Sequence, residues 1–242
     1  MTSMGFLNEV IMSIVLQVKE LEKIFFSNNY DGDGNNWFEL HEGKMPVMLS
    51  APHTVNHFSR GKMKYAEIFT GGITEYLHEQ THCHIICVTR YKNLDANSDP
   101  ADICKYKQKL LDYIAISGVK VLIDLHGMKV NPTYAMELGT GGNGDPTLNG
   151  YNLIADIVEE TMRHSLNNYL VEDNKQIVRN IKFAARGENT ITNFISSQLR
   201  IPCLQIEIGG EYRDIRNPER LEALVVGLQS AIENISRLDF SK

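Results

Sequence analysis

Val121-Leu122-Ile123-Asp124-Leu125-His126-Gly127-Met128 is an apolar, β-branched run that turns polar at its end. Such a run marks a buried strand that delivers side chains to one edge of a sheet. Asp124 and His126 stand two residues apart, so on an extended chain both project to the same side. One can ligate a metal while the other orients a neighbour.

Upstream, Pro46 to His53 and His84 to Thr89 are two further strand-like runs. Between the three lie helical patterns over Lys64–Glu79 and Ala101–Ser117, the first interrupted by Gly71-Gly72. The strand–helix–strand–helix–strand alternation predicts a mainly parallel sheet with helices on both faces. Downstream, Tyr134–Leu138 and Ile181–Ala185 read as strands, and Cys203–Ile208 as the last one. Asn152–Asn168, Thr190–Leu199 and Pro218–Leu238 read as helices. The glycine-rich stretch Gly139–Gly150 has neither the G-x-G-x-x-G spacing nor a P-loop lysine, so it reads as a loop near a site, not a nucleotide cradle.

Near the start, Asn8–Phe26 has helical apolar spacing. Asp31, Asp33, Asn35, Glu39 and Glu42 then match positions 1, 3, 5, 9 and 12 of a calcium loop. Asn36 replaces the glycine such a loop needs at its turn, and Pro46 follows where an exit helix should begin, so a polar hairpin turn is expected instead.

With 242 residues and 43% hydrophobic content, the chain suits one domain over 1–242, with residues 1–45 as a helix-and-hairpin extension packed on it. A count of 24 basic against 30 acidic residues, without long blocks of one sign, leaves no electrostatic footprint for nucleic acid. Cys83, Cys87, Cys104 and Cys203 form no C-x-x-C pair and read as reduced and buried. The apolar Val10–Val18 is preceded by Glu9, interrupted by Gln17 and followed by no small-residue cleavage site, so it reads as neither signal peptide nor membrane span, and no membrane partner and a cytoplasmic location are expected.

Three sheet runs end in groups that bind metals or move protons: His53, His126 and Glu207. Strand ends of an open α/β sheet converge, so residues distant in sequence meet there. A zinc hydrolase needs three nitrogen or carboxylate ligands, an open position for water, and a carboxylate to take that water's proton. His53 and His126 supply two imidazoles. Glu67, placed on the helix after the His53 loop, is the best third ligand, with Asp95, Asp99 and Asp124 as competitors. Glu207 is then the general base, and Asp124 holds His126 from behind. His78, His82, Cys83 and His84 span a helix end and a strand start, where no single face collects them.

Ser50-Ala51-Pro52-His53, Glu67, Asp95-Ala96-Asn97, Ile123-Asp124-Leu125-His126-Gly127 and Leu204-Gln205-Ile206-Glu207-Ile208 together resemble the N-formylglutamate amidohydrolase family, related to the zinc carboxypeptidase and aspartoacylase group. The resemblance implies an α/β three-layer sandwich, phosphorylase/hydrolase-like, whose central sheet is mixed and largely parallel. It implies His53, Glu67 and His126 as zinc ligands and Glu207 as base. It also implies cleavage of the C–N amide bond of a small N-acyl amino acid such as N-formylglutamate. The chain departs from the family in carrying Pro52-His53-Thr54-Val55 where many members have Pro-His-Ser-Gly.

A carboxylate-bearing small-molecule substrate calls for arginine, whose planar fork matches a carboxylate. Arg186 is the preferred catalytic partner; Arg90 and Arg213, with Asn97, are the substrate-binding candidates. Two rival readings are a carboxypeptidase-like peptidase and a member that binds metal or ligand without turnover. The sequence names neither the metal nor the oligomeric state.

Overall fold

The computed structural model describes residues 13–141 and 151–240. In chain order the strands are β1 (Phe38–His41), β2 (Val47–Ala51), β3 (His57–Ser59), β4 (Lys62–Lys64), β5 (His84–Val88), β6 (Val121–Met128), β7 (Tyr134–Gly139), β8 (Gln176–Arg179) and β9 (Cys203–Gly209). The helices are α1 (residues 13–21), α2 (Lys23–Tyr30), α3 (Thr70–Thr81), α4 (Lys105–Ser117), α5 (Tyr151–Glu172), α6 (Ile191–Leu199) and α7 (Pro218–Ser236).

Among the described residues, seven strands form one sheet in the order β1-β5-β2-β6-β9-β7-β8. The four central strands β5, β2, β6 and β9 are mutually parallel and buried along almost their whole length. Burial on both faces is why they read as continuous apolar runs and not as alternating ones. Helices flank the sheet, with α3, α5 and α7 packed as one group and α4 with α6 as another. The chain is an α/β sandwich.

The sheet is mainly parallel, as the alternation predicts, and mixed, as the resemblance implies. β1 runs antiparallel to β5, and β7 antiparallel to β9. The reason at β7 is length. Met128 ends β6 and Tyr134 begins β7, and so short a link cannot make the crossover that a parallel return requires. The chain therefore turns back and leaves room for β9 between the two strands.

Three local expectations change. Residues 31–45 form no hairpin, because β1 joins the edge of the main sheet. The strand expected over Ile181–Ala185 falls earlier, at β8. Residues 181–186 leave the sheet, and Glu137 Oε1 accepts from the main-chain N–H of Lys182 and Phe183, each at 2.6 Å. The helix expected from Lys64 begins only at Thr70, preceded by the hairpin β3–β4, whose Arg60-Gly61 turn has positive φ at both residues.

The Gly71-Gly72 pair is explained by packing. A Cβ on Gly71 would stand 2.5 Å from the buried Phe25 ring, and one on Gly72 2.5 Å from the Val18 carbonyl oxygen. The N-terminal helices thus lie directly on the first turn of α3. Glu22 completes that joint, accepting from Phe69 N–H at 2.7 Å and Gly72 N–H at 2.6 Å.

Candidate functional site

Parallel strands share a carboxyl edge, and there the structure gathers His53, His126 and Glu207. His53 follows β2 by two residues, His126 lies near the end of β6, and Glu207 is its register partner on β9. Glu67 joins them from a loop between β4 and α3, not from a helix. A loop can do this because the Glu67 N–H donates to the His53 carbonyl at 2.8 Å, fixing it beside the first histidine.

Glu67 sits between the two imidazoles. His53 Nδ1 is 2.9 Å from Glu67 Oε1, and His126 Nδ1 is 3.3 Å from Oε2, which also accepts from Gly127 N–H at 2.8 Å. The far nitrogens are held by two more carboxylates: His53 Nε2 is 2.9 Å from Asp95 Oδ1, and His126 Nε2 is 2.9 Å from Asp124 Oδ2. Asp95 is itself fixed by the N–H groups of Asn97 and Ser98, and its own N–H donates to Asp99. Both histidines are therefore oriented with Nδ1 inward and Nε2 clamped.

The electrostatics follow from this packing. Burial alone lowers the pKa of His53, but the charge of Glu67 and the bonds to Asp95 and Glu67 outweigh it and raise it to about 9. His126 is likewise raised, with Asp124 and Glu67 overcoming burial. Burial pushes Glu67 up, yet the two imidazoles hold it well below the ordinary carboxylate range. Asp95 is depressed in the same way, chiefly by its bond to His53 against its burial. The buried Asp95 and Asp124 and the half-buried Glu67 thus require positive charge between them, since buried charge is costly unless paired.

A divalent cation fits that requirement. Among the described residues, the donor atoms of His53, Glu67 and His126 lie within 4.8 Å of one another. Two inward nitrogens, one carboxylate and carboxylate partners behind both imidazoles form the donor set zinc prefers. A second group, His53, His57 and Asp95, overlaps the first through His53. His57 stacks face to face on His53 at a centroid distance of 4.0 Å and an interplanar angle of 2°. The 31–42 carboxylates and the His78–His84 cluster form no such group among the described residues.

Glu207 has a different environment. It is buried, accepts from Gln205 Nε2 at 3.1 Å, and is raised by burial to about 7. It lines, with His53, Glu67 and His126, a cleft of about 1760 Å³.

The remaining expected residues divide. Arg186 is exposed on the cleft wall, and Asn97 lines the same cleft while its Oδ1 accepts from Ile191 N–H at 2.9 Å. Arg213 also lines it but is buried, and its nitrogens donate to the carbonyls of Ile208 (3.2 Å), Met128 (3.2 Å) and Ile68. Its first task is to clip together the segments that carry Glu207, His126 and Glu67. Arg90 is not at the site: its N–H and that of Tyr91 donate to the Trp37 and Asp31 carbonyls, which hold it beside the segment leading into β1.

Sequence reasoning missed the clamp from Asp95 to His53, the stack of His57 and the clip of Arg213. Only the first left a signal, in the Asx-turn pattern of Asp95-Ala96-Asn97-Ser98.

Among solved structures, N-formylglutamate amidohydrolase from Ralstonia eutropha superposes with a TM-score of 0.53, over 82% of this chain and 96% of that one, at 14% identity. The chain shares that fold. A gene product from Agrobacterium tumefaciens gives 0.52, over 83% and 93%, at 12% identity. A metallo-carboxypeptidase from Burkholderia cenocepacia gives 0.49, over 83% of this chain and 66% of its own, at 12% identity. No family profile and no curated protein sequence matches. No helix among the described residues is long and apolar enough to cross a membrane.

Proposed function

We propose that the cleft hydrolyses the C–N amide bond of a carboxylate-bearing N-acyl amino acid, N-formylglutamate being the type, with a divalent ion, zinc by preference, held by His53, Glu67 and His126. The observation that carries this reading is the double clamp: two imidazoles turned Nδ1-inward onto one carboxylate, each fixed from behind by a buried aspartate. When bound, such an ion supplies Lewis acidity toward the carbonyl and acidifies water.

The chain's own residues account for the proton. Glu207, raised to about 7, is poised to take a proton from water and return it to the departing nitrogen. Amide and water become a carboxylate and an amine, with Glu207 restored. Arg186 on the wall supplies the cation for the substrate carboxylate or the oxyanion, and the Asn97 amide lies in the same cleft. Arg213 keeps Glu67 and Glu207 in place.

The deciding experiment is metal analysis of wild type and His126→Ala, combined with hydrolysis of a panel of N-acyl amino acids and short peptides. About one divalent ion per chain in wild type and its loss in the variant are expected, with Glu207→Gln losing roughly two or more orders of magnitude in kcat. A wild-type protein from metal-replete medium that holds no ion sinks the reading.

A further inference from the structure

The mouth of the cleft differs in charge from the chain as a whole, which carries −6. Four separate segments around it each present a lysine and a large apolar side chain. The N-terminal helices give Lys19 and Phe26, and the end of the β3–β4 hairpin gives Lys64 and Tyr65. The turn after β6 gives Lys129 and Val130, and the segment after β8 gives Lys182 and Ile181. All eight are exposed, Tyr65 at 85% and Val130 at 67%. None of these lysines has a carboxylate within ion-pair distance among the described residues. The acids lining the mouth are, by contrast, already engaged: Glu211 by Lys175 and Asp214 by Arg216.

Exposed apolar side chains gathered in one place mark a binding surface, and unpaired cations between them select a partner of opposite charge. The volume, about 1760 Å³, exceeds the roughly 300–1,000 Å³ of ordinary small-molecule pockets. A single acyl amino acid engages one cation and leaves most of this surface uncovered.

We propose that the mouth binds an extended acidic peptide, several residues long and carrying apolar side chains, with its scissile amide reaching Glu207. The lysines take its carboxylates and the four apolar positions take the side chains between them. The bond that is cut rests on the hydrolytic reading above; the binding surface does not.

Calorimetric titration of the wild-type protein with acetyl-(Glu-Leu)3-amide tests this, against acetyl-(Lys-Leu)3-amide, acetyl-(Ser-Leu)3-amide and acetyl-hexaglutamate-amide. The first should bind at least about tenfold tighter than each control and weaken with added salt. Lys64→Glu with Lys129→Glu, and separately Tyr65→Ser with Val130→Ser, should each cost about tenfold, with unchanged melting temperatures as the folding control. Absence of binding, or equal affinity for hexaglutamate or the serine peptide, overturns the proposal. Selective binding without cleavage of this peptide or of N-formylglutamate leaves the surface standing and refutes the hydrolytic reading. Cleavage of N-formylglutamate without peptide binding does the reverse.

Discussion

Replacing Arg213 with methionine removes the one guanidinium that joins the carbonyls of Ile68, Met128 and Ile208. Each of these follows a site residue closely: Ile68 is next to Glu67, Met128 is two beyond His126, and Ile208 is next to Glu207. The loss leaves two buried acceptors, the Ile208 and Met128 carbonyls, and the part-buried Ile68 carbonyl to find other donors, at roughly 1–3 kcal/mol for each buried one that stays unsatisfied. Against it stands the relief of a desolvated charge, for burial already pushes the Arg213 pKa down. Methionine fills similar volume, so the net destabilisation should be about 2–4 kcal/mol. A displacement of Glu67 or Glu207 by about 1 Å should lower kcat on the order of a hundredfold. Urea unfolding of metal-free protein reads the first effect, and the split between kcat and KM reads the second. Arg213→Lys, which keeps a charge but not the fork, should fall between. An unchanged unfolding midpoint with only KM raised would show that Arg213 binds substrate and refute the clip.

The other predictions concern the supports of the site and of α3. Burial raises Glu22 to about 7, despite its bonds to Gly72 and Phe69 N–H. Its folded state therefore holds the proton more tightly than the unfolded chain, and stability present below the ordinary carboxylate pKa is lost as pH rises through about 7. The loss is about 3 kcal/mol, and Glu22→Gln should flatten that part of the wild-type stability curve; a parallel curve in the variant contradicts the assignment. Gly71→Ala forces a methyl onto the buried Phe25 ring and should cost about 1–3 kcal/mol in urea unfolding, so a neutral result would show that α2 is free to shift. Asp95→Asn and Asp124→Asn should each weaken metal affinity about 10- to 100-fold in chelator competition, since each clamps one imidazole; unchanged affinity in both would remove the clamps from the account.

The strand-end convergence of His53, His126 and Glu207 was legible in the sequence because buried parallel strands print uninterrupted apolar runs whose polar endings mark one edge. The antiparallel joins were not. β1 carries only half-buried residues and no apolar run, and the direction of β7 depends on a connection length that periodicity ignores. Glu67 was readable as a residue type but not as a loop residue, because the β3–β4 hairpin occupies what looks like the start of a helix. Arg213 escaped because its partners are main-chain carbonyls, which leave no side-chain pattern. Arg90 misled for the related reason that its neighbours Asp31 and Trp37 are far away in the chain.

The place of β9 bears on how the protein is made. The proposed ligands, their clamping aspartates and six of the seven sheet strands all precede Cys203 in the chain, yet β9 belongs in the sheet's interior, between β6 and β7. During synthesis, β6 and β7 must wait with facing edges unpaired until the last strand emerges, which is the exposed, slow step expected of non-local pairing. His53, Glu67 and His126 are available before that moment; Glu207 arrives with the strand that closes the gap. On the proposed function, a nascent chain is able to meet metal before it has its base, and the capacity for turnover comes with the same event that pairs the facing edges of β6 and β7.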